Sequence, residues 1–208
     1  MDTLSKLFGS EAKVKIMRLF LFNPDQPYSP NEIAQRARVS VAVVRHETTT
    51  LRRMGMIKGK RFSHNVPVKK GKVTTIKKKT EGGWVLNSAF PYLLAIQNLL
   101  INTSLFRHDD LIRKLNAVGK MKLVIVSGVF TRDAESRVDL LVVGDSVRFA
   151  ALENVVRTIE SEIGKELKYA AFETADFEYR LGMYDKLIRD ILDFPHKKIL
   201  SRLNVPFN

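Results

Sequence analysis

The chain has 208 residues and a mass of 23.7 kDa, more than one small core usually needs, so two compact modules are expected. An apolar share of 45% with 27% charged residues excludes a wholly disordered chain, and the lack of a heptad or longer repeat excludes coiled coils and solenoids. The absence of cysteine excludes disulfides, thiolate metal sites and cysteine nucleophiles, while a net charge of +13 makes a polyanion the first partner to consider, nucleic acid before anionic membrane.

At the start of the chain, Asp2 stands where a secretion signal would be basic, and no apolar run reaches the ~18 residues of a membrane span. A cytoplasmic protein without membrane attachment is expected. Ser10 is placed to cap a helix over 11–22 that buries Val14, Ile16, Met17, Phe20 and Leu21, with Asn23-Pro24 as its stop. Ser29-Pro30-Asn31-Glu32 is a capping box for a second helix running to about Arg38 and burying Ile33, Ala34 and Ala37. Ser40 caps a third, which runs to about Met54 and ends at Gly55.

Two short helices joined by a tight turn, the second amphipathic and basic, describe a helix-turn-helix. Val44, Thr48 and Leu51 face the core at helical spacing, whereas Ala42, Arg45, His46, Thr49 and Arg53 recur on the opposite side. With Ser40 at the cap and Arg52 in the last turn, these residues offer cationic forks and hydroxyls to phosphates and base edges. His46 and His64 have no neighbours at ligand spacing and are expected to face DNA or solvent rather than a metal.

Met56-Ile57-Lys58 then reads as a strand that Val73–Lys79 can pair with across the loop Lys69-Lys70-Gly71-Lys72. The charge concentrates here. Residues 1–82 hold 18 Lys and Arg against 6 Asp and Glu, residues 83–208 hold 17 against 16, and Lys58–Lys79 contains nine cations and no acid. Residues 8–87, above all VSVAVVRHETTTLRRMGMI, resemble the winged helix-turn-helix of the ArsR/MarR-like transcription regulators, with Thr48 where those families usually have Leu. The resemblance implies double-stranded DNA as partner, a recognition helix over 41–54 and a wing whose Lys58, Lys60, Arg61, Lys69, Lys70, Lys72 and Lys77 meet phosphates.

Gly82-Gly83 punctuates the sequence, Trp84-Val85-Leu86 reads as a last short strand, and Pro91 opens a helix to about Leu100 that is apolar beyond the needs of one face. That surplus points to packing between modules or to a homodimer. Asp109-Asp110 start a further helix to Val118. Beyond it, strands are expected at Leu123–Val126, Val138–Val143 and Leu167–Phe172, with a Ser146-capped helix to Ile163 and helices from Thr174 to Asp193.

The segment VIVSGVFTRDAESRVDLLVVGD resembles the entry to the minimal nucleotidyltransferase fold of the polymerase-β superfamily. There a strand ends in Gly-Ser and the next carries two carboxylates at i and i+2 that hold Mg²⁺. Gly128 fits the Gly and Asp139 the second carboxylate, but Val129 replaces the Ser, Arg137 stands at the first carboxylate and Lys168–Phe172 has no acid. A fixed cation repels a divalent metal, so a degenerate site is expected, with Arg137 and Asp139 paired with each other or Arg137 binding a nucleotide or another anion.

The expected architecture is α+β: a winged helix-turn-helix over 1–87, a helical connector over 88–119 that could dimerise, and a small α/β nucleotidyltransferase-like domain over 120–208. The expected function is transcription regulation through DNA, with the second domain serving dimerisation or ligand sensing, without cofactor or catalysis. Two other classes compete. One is an active Mg²⁺-dependent nucleotidyltransferase that recruits Asp133, Glu135 or Asp145; the other is an antitoxin-like, RNA-binding assembly protein.

Overall fold

The computed structural model describes residues 3–70, 73–102, 108–133 and 135–203, with side chains at all of these except 64–70, 73–75, 77 and 102. The chain is mixed α+β and divides into two compact units, Met1–Thr103 with Ser161–Lys165, and Ser104–Glu160 with Glu166–Asn208. The stretch expected as a separate connector is shared out: the helix before residue 103 belongs to the first unit and the helix after it to the second.

In the first unit, α1 (Thr3–Phe8), a helix not expected from the sequence, precedes α2 (Glu11–Phe22), α3 (Pro30–Ala37) and α4 (Val41–Arg53). Their starts are fixed by the three serines. The Ser10 hydroxyl accepts from Lys13 N–H, Ser40 from Val43 N–H, and Ser29 exchanges bonds with Glu32 in a complete capping box. Such caps each contribute about 1 kcal/mol. The turn between α3 and α4 is made by Arg38 at φ 53, and α4 ends before Gly55 at φ +81. Ile16, Phe20, Ile33, Val44, Leu51 and Ile57 are all buried in one cluster that these three helices share with the strands that follow.

The hairpin is longer than its sequence pattern suggested. β1 (Ile57–Lys70) and β2 (Val73–Leu86) pair antiparallel through fourteen residue pairs, from Ile57 opposite Leu86 to Lys70 opposite Val73. Trp84-Val85-Leu86 is therefore the end of β2, not a separate strand, and Gly82-Gly83 lies inside it rather than between modules. Tyr28 adds a bridge to the hairpin base: its N–H and C=O both bond Trp84, each at 2.9 Å. Position 83 must be glycine for this approach, because a Cβ there would overlap the Tyr28 carbonyl and the Phe62 ring.

The apolar segment after the hairpin forms only a short α5 (Leu93–Gln97), continued by a π-helical turn over Asn98–Asn102. The same unit includes Ser161–Lys165, where Arg18, buried at 6% exposure, donates to the carbonyls of Leu100 and Glu162 at 3.1 and 3.0 Å. Gly164, at φ +87, leaves no room for a Cβ beside the Arg18 and Leu19 backbone, and its carbonyl accepts from Asn23 at 2.9 Å.

In the second unit the order is α6 (His108–Asn116), β3 (Lys120–Val126), β4 (Leu140–Asp145), α7 (Phe149–Ile163), β5 (Tyr169–Glu173), α8 (Thr174–Gly182), α9 (Lys186–Asp193) and β6 (Lys197–Ser201). The sheet order is β5-β4-β3-β6. β3 runs antiparallel to both neighbours, and β4 and β5 are parallel across the α7 crossover. β4 is buried along all but its last residue, as expected of a central strand covered on both sides. On one side Leu123, Ile125, Leu141 and Val143 pack with Phe177 of α8 and Ile188 and Ile191 of α9. The edge strand β6 follows Pro195 in a basic, weakly patterned stretch where the sequence carries no strand signal. No helix among the described residues is long and apolar enough to cross a membrane.

Candidate nucleic-acid interface

The two sides of α4 separate sharply. Val44, Glu47, Thr48 and Leu51 are buried, whereas Ala42, Val43, Arg45, His46, Thr49, Arg52 and Arg53 are exposed, with Ser40 exposed at the cap. Thr48 is tolerated inside because its hydroxyl donates to the Val44 carbonyl at 2.8 Å, which satisfies the polar group that Leu would have avoided. The Thr49 hydroxyl is committed in the same way to the Arg45 carbonyl at 2.7 Å, so towards a ligand it keeps only its acceptor capacity.

Two side chains hold α4 in place: Glu47, not singled out from the sequence, and Arg52, which takes a different role from the one expected. Glu47 is 5% exposed and its carboxylate lies 3.6 Å from the Lys13 ammonium, which also donates to the Phe8 carbonyl. The signal was present: positions 44, 47, 48 and 51 together make the full buried stripe of a helix, with an acid in it. Arg52, expected to meet DNA, has its guanidinium over the Trp84 ring at 5.7 Å, so it ties the end of α4 to the hairpin base. Arg45, His46 and Arg53 remain on the exposed side.

Lys58, Lys60 and Arg61 are exposed on β1, with Lys78 and Lys79 on β2. Register puts them on different sides of the ribbon: Lys58, Lys60 and Lys79 share one pleat face, Arg61 and Lys78 the other. The backbone positions of Lys69, Lys70 and Lys77 lie on the same strands, while their side chains and the whole of Lys72 lie outside the described residues.

The second unit corrects the expected Arg137–Asp139 pair. β4 begins at Leu140, so neither residue is in the strand and the i, i+2 argument does not apply. Arg137 is exposed and pairs with Asp190 of α9 at 3.2 Å. Asp139 is 7% exposed: Oδ1 accepts the Val129 N–H at 2.7 Å and Oδ2 the Lys168 N–H at 2.9 Å. The carboxylate thus joins the turn at Gly128–Phe130 to the start of β5. Gly128, at φ +54, faces it directly.

Of the other acids, Asp133 accepts from Glu135 N–H through Oδ1, while its Oδ2 is buried without a hydrogen-bond partner among the described residues, and Glu135 is exposed. Asp145 closes β4 at the far end, about 20 Å along the strand from Asp139 at ~3.3 Å per residue. There the Thr174 hydroxyl bonds it and Lys122 lies 3.3 Å away, which together hold its pKa below the usual aspartate value. Ser146, expected to cap α7, has φ 54. Its N–H and that of Val147 donate to the Glu173 carboxylate at 3.0 and 2.8 Å, so Glu173 fixes the turn that enters the helix. Glu173 also ends β5, which supplies an acid to a strand expected to have none. Among the described residues no group of three or more His, Asp or Glu is arranged to hold a metal ion.

Comparison with family models, with curated proteins and with solved structures gives no match.

Proposed function

We propose that the protein is a cytoplasmic, DNA-binding transcription regulator in which α3, α4 and the β1–β2 hairpin act as a winged helix-turn-helix. The observation that carries this reading is the exposed Arg45–His46–Arg53 side of α4 in the same unit as a hairpin in which residues 57–86 hold nine Lys and Arg against a single acid. An α-helix fits the major groove, and its N-terminal turns meet base edges in this class of docking. Gel shift of the full chain on random duplex DNA and on duplex RNA, each at two salt concentrations, tests it. Preference for DNA with a steep salt dependence supports the reading, and preference for RNA or indifference to both refutes it.

The second unit serves this regulator as a structural domain of nucleotidyltransferase-like form that transfers no nucleotide. Asp139 favours this reading over the enzymatic one, since both its oxygens are already taken by backbone N–H groups and no group of three or more His, Asp or Glu among the described residues is arranged to hold a metal ion. A metal clamp on phosphates requires carboxylates that converge within coordination distance. Dimerisation falls instead to the first unit, where Tyr92 and Leu94, exposed at 67% and 76% around α5, supply the apolar surface that a second copy would cover. Titration calorimetry with ATP, GTP and CTP, with and without Mg²⁺, decides whether the second unit binds a nucleotide at all. Label transfer lost in Asp139→Ala would refute the non-catalytic assignment.

A further inference from the structure

The proposed function explains why a hairpin lies beside α4, but not why it is so long. Fourteen pairs at ~3.3 Å per residue make a ribbon of about 45 Å, longer than the ~34 Å of one DNA turn. Among the described residues, only its base is held by the unit. Ile57 and Leu86 are in the core, Trp84 is bridged to Tyr28, and Phe62 covers Gly83. From Ser63 opposite Thr80 outwards, the described side chains Ser63, Thr80, Lys79, Lys78 and Ile76 are all exposed. That leaves eight pairs, roughly 25 Å of ribbon, beyond the anchored part.

The register arranges the charge on this ribbon. Every cation on a paired strand stands opposite a neutral residue: Lys58 faces Val85, Lys60 faces Gly83, Arg61 faces Gly82, Lys69 faces Thr74, Lys70 faces Val73, Lys77 faces Val66, Lys78 faces Asn65 and Lys79 faces His64. Like charges directly opposite one another destabilise a sheet, and this spacing avoids every such pair. The only acid on either strand is Glu81, 3.2 Å from Lys79. A two-stranded ribbon is marginal in water by itself, so one this long and this cationic fits a polyanion lying along its length. The pleat faces wind about the axis of a twisted ribbon, which distributes the cations around it and suits a curved duplex surface better than a flat one.

On the reading that α4 enters DNA, we propose that the hairpin is a phosphate-tracking arm that lies along the duplex. It extends the footprint on one side of the recognition helix by about 7 base pairs, the reach of its outer eight pairs at ~3.4 Å per base pair. The experiment is hydroxyl-radical footprinting of the full chain on a duplex selected from a random library by the protein itself. A variant lacking Val66–Lys69 and Thr74–Lys77 shortens the ribbon by four pairs while keeping both pleat faces and the turn. It should lose about four base pairs of protection at one edge only and flatten the log K against log salt slope by up to ~2. A full-length variant carrying Lys69→Gln, Lys70→Gln and Lys77→Gln keeps the ribbon and should lose protection at the same edge. An unchanged edge in both variants overturns the arm. Failure to select any duplex overturns the DNA reading itself, and tighter binding to an RNA duplex would assign the ribbon to RNA instead.

Discussion

The carboxylate of Asp139 fills the space that a side chain at position 128 would need: Gly128 stands at φ +54, and a Cβ built on it would overlap Asp139 Oδ1. The two residues are therefore mutually required, the one for its lack of a side chain and the other for accepting Val129 N–H at 2.7 Å. Gly128→Ala should lower the urea-unfolding stability by about 1–3 kcal/mol through backbone strain alone, with more from displacement of the carboxylate. Asp139→Ala should also destabilise, by about 1–3 kcal/mol for the N–H groups left unsatisfied. Were Asp139 a remnant metal ligand in a repulsive site, its removal would stabilise the metal-free protein.

Base reading by Arg45 predicts a loss confined to specific DNA. Arg45→Ala should narrow the gap between selected and random duplex by about 1–3 kcal/mol, whereas Lys58→Gln, Lys60→Gln and Arg61→Gln together should weaken all sequences alike and flatten the salt slope by up to ~3. Fluorescence anisotropy at several salt concentrations separates the two patterns. Equal losses on both DNAs would demote Arg45 to a phosphate contact.

The Lys13–Glu47 pair predicts non-additivity. Lys13→Met leaves a carboxylate at 5% exposure without its cation and should cost about 3 kcal/mol, while the double variant Lys13→Met/Glu47→Met should recover part of that loss. Chemical denaturation of the four proteins in the cycle measures it. Additive costs would mean that the pair is not coupled.

Acid sensitivity should include a contribution from Asp145. Its folded pKa is lowered, chiefly by the Thr174 hydroxyl, against desolvation as the next-largest effect, with Lys122 and then Lys120 adding to the lowering. The stabilisation is fully present above the ordinary aspartate pKa near ~3.9 and is lost as pH falls through the lower folded value. Asp145→Asn should therefore flatten the stability profile below about pH 4, measured by thermal unfolding across pH. An unchanged acid limb would remove Asp145 from it.

Dimerisation through α5 predicts that Tyr92→Lys with Leu94→Glu yields a monomer in light scattering at micromolar concentration. Both side chains are exposed, so folding should be spared. A wild-type monomer would end this assignment.

What the sequence disclosed was what local chemistry controls. The three serine caps, the Gly55 stop and the buried stripe of α4 follow from capping and helical period, and the structure has them where those rules put them. Contacts between distant residues were not legible. Tyr28 and Trp84 are 56 positions apart, and neither composition nor period announces a bridge between them. The Arg137–Asp139 reading erred because a strand was extended two residues too far back; the chain bends there, and Arg137 finds Asp190 on an element that spacing arguments cannot reach. The hairpin was underestimated because its middle, Ser63–Val68, includes Pro67 and lacks a clear alternation, although an antiparallel ladder of two strands tolerates a proline that points its missing N–H outwards.

Trp84 is a joint. Its backbone holds Tyr28, the residue before the Ser29 cap of α3, and its ring lies under Arg52 in the last turn of α4. α4, α3 and the base of the hairpin thus share one fixed point. On the proposed DNA reading, the angle between α4 and the hairpin base is set in folding, so the entropy of fixing it is not lost again on binding.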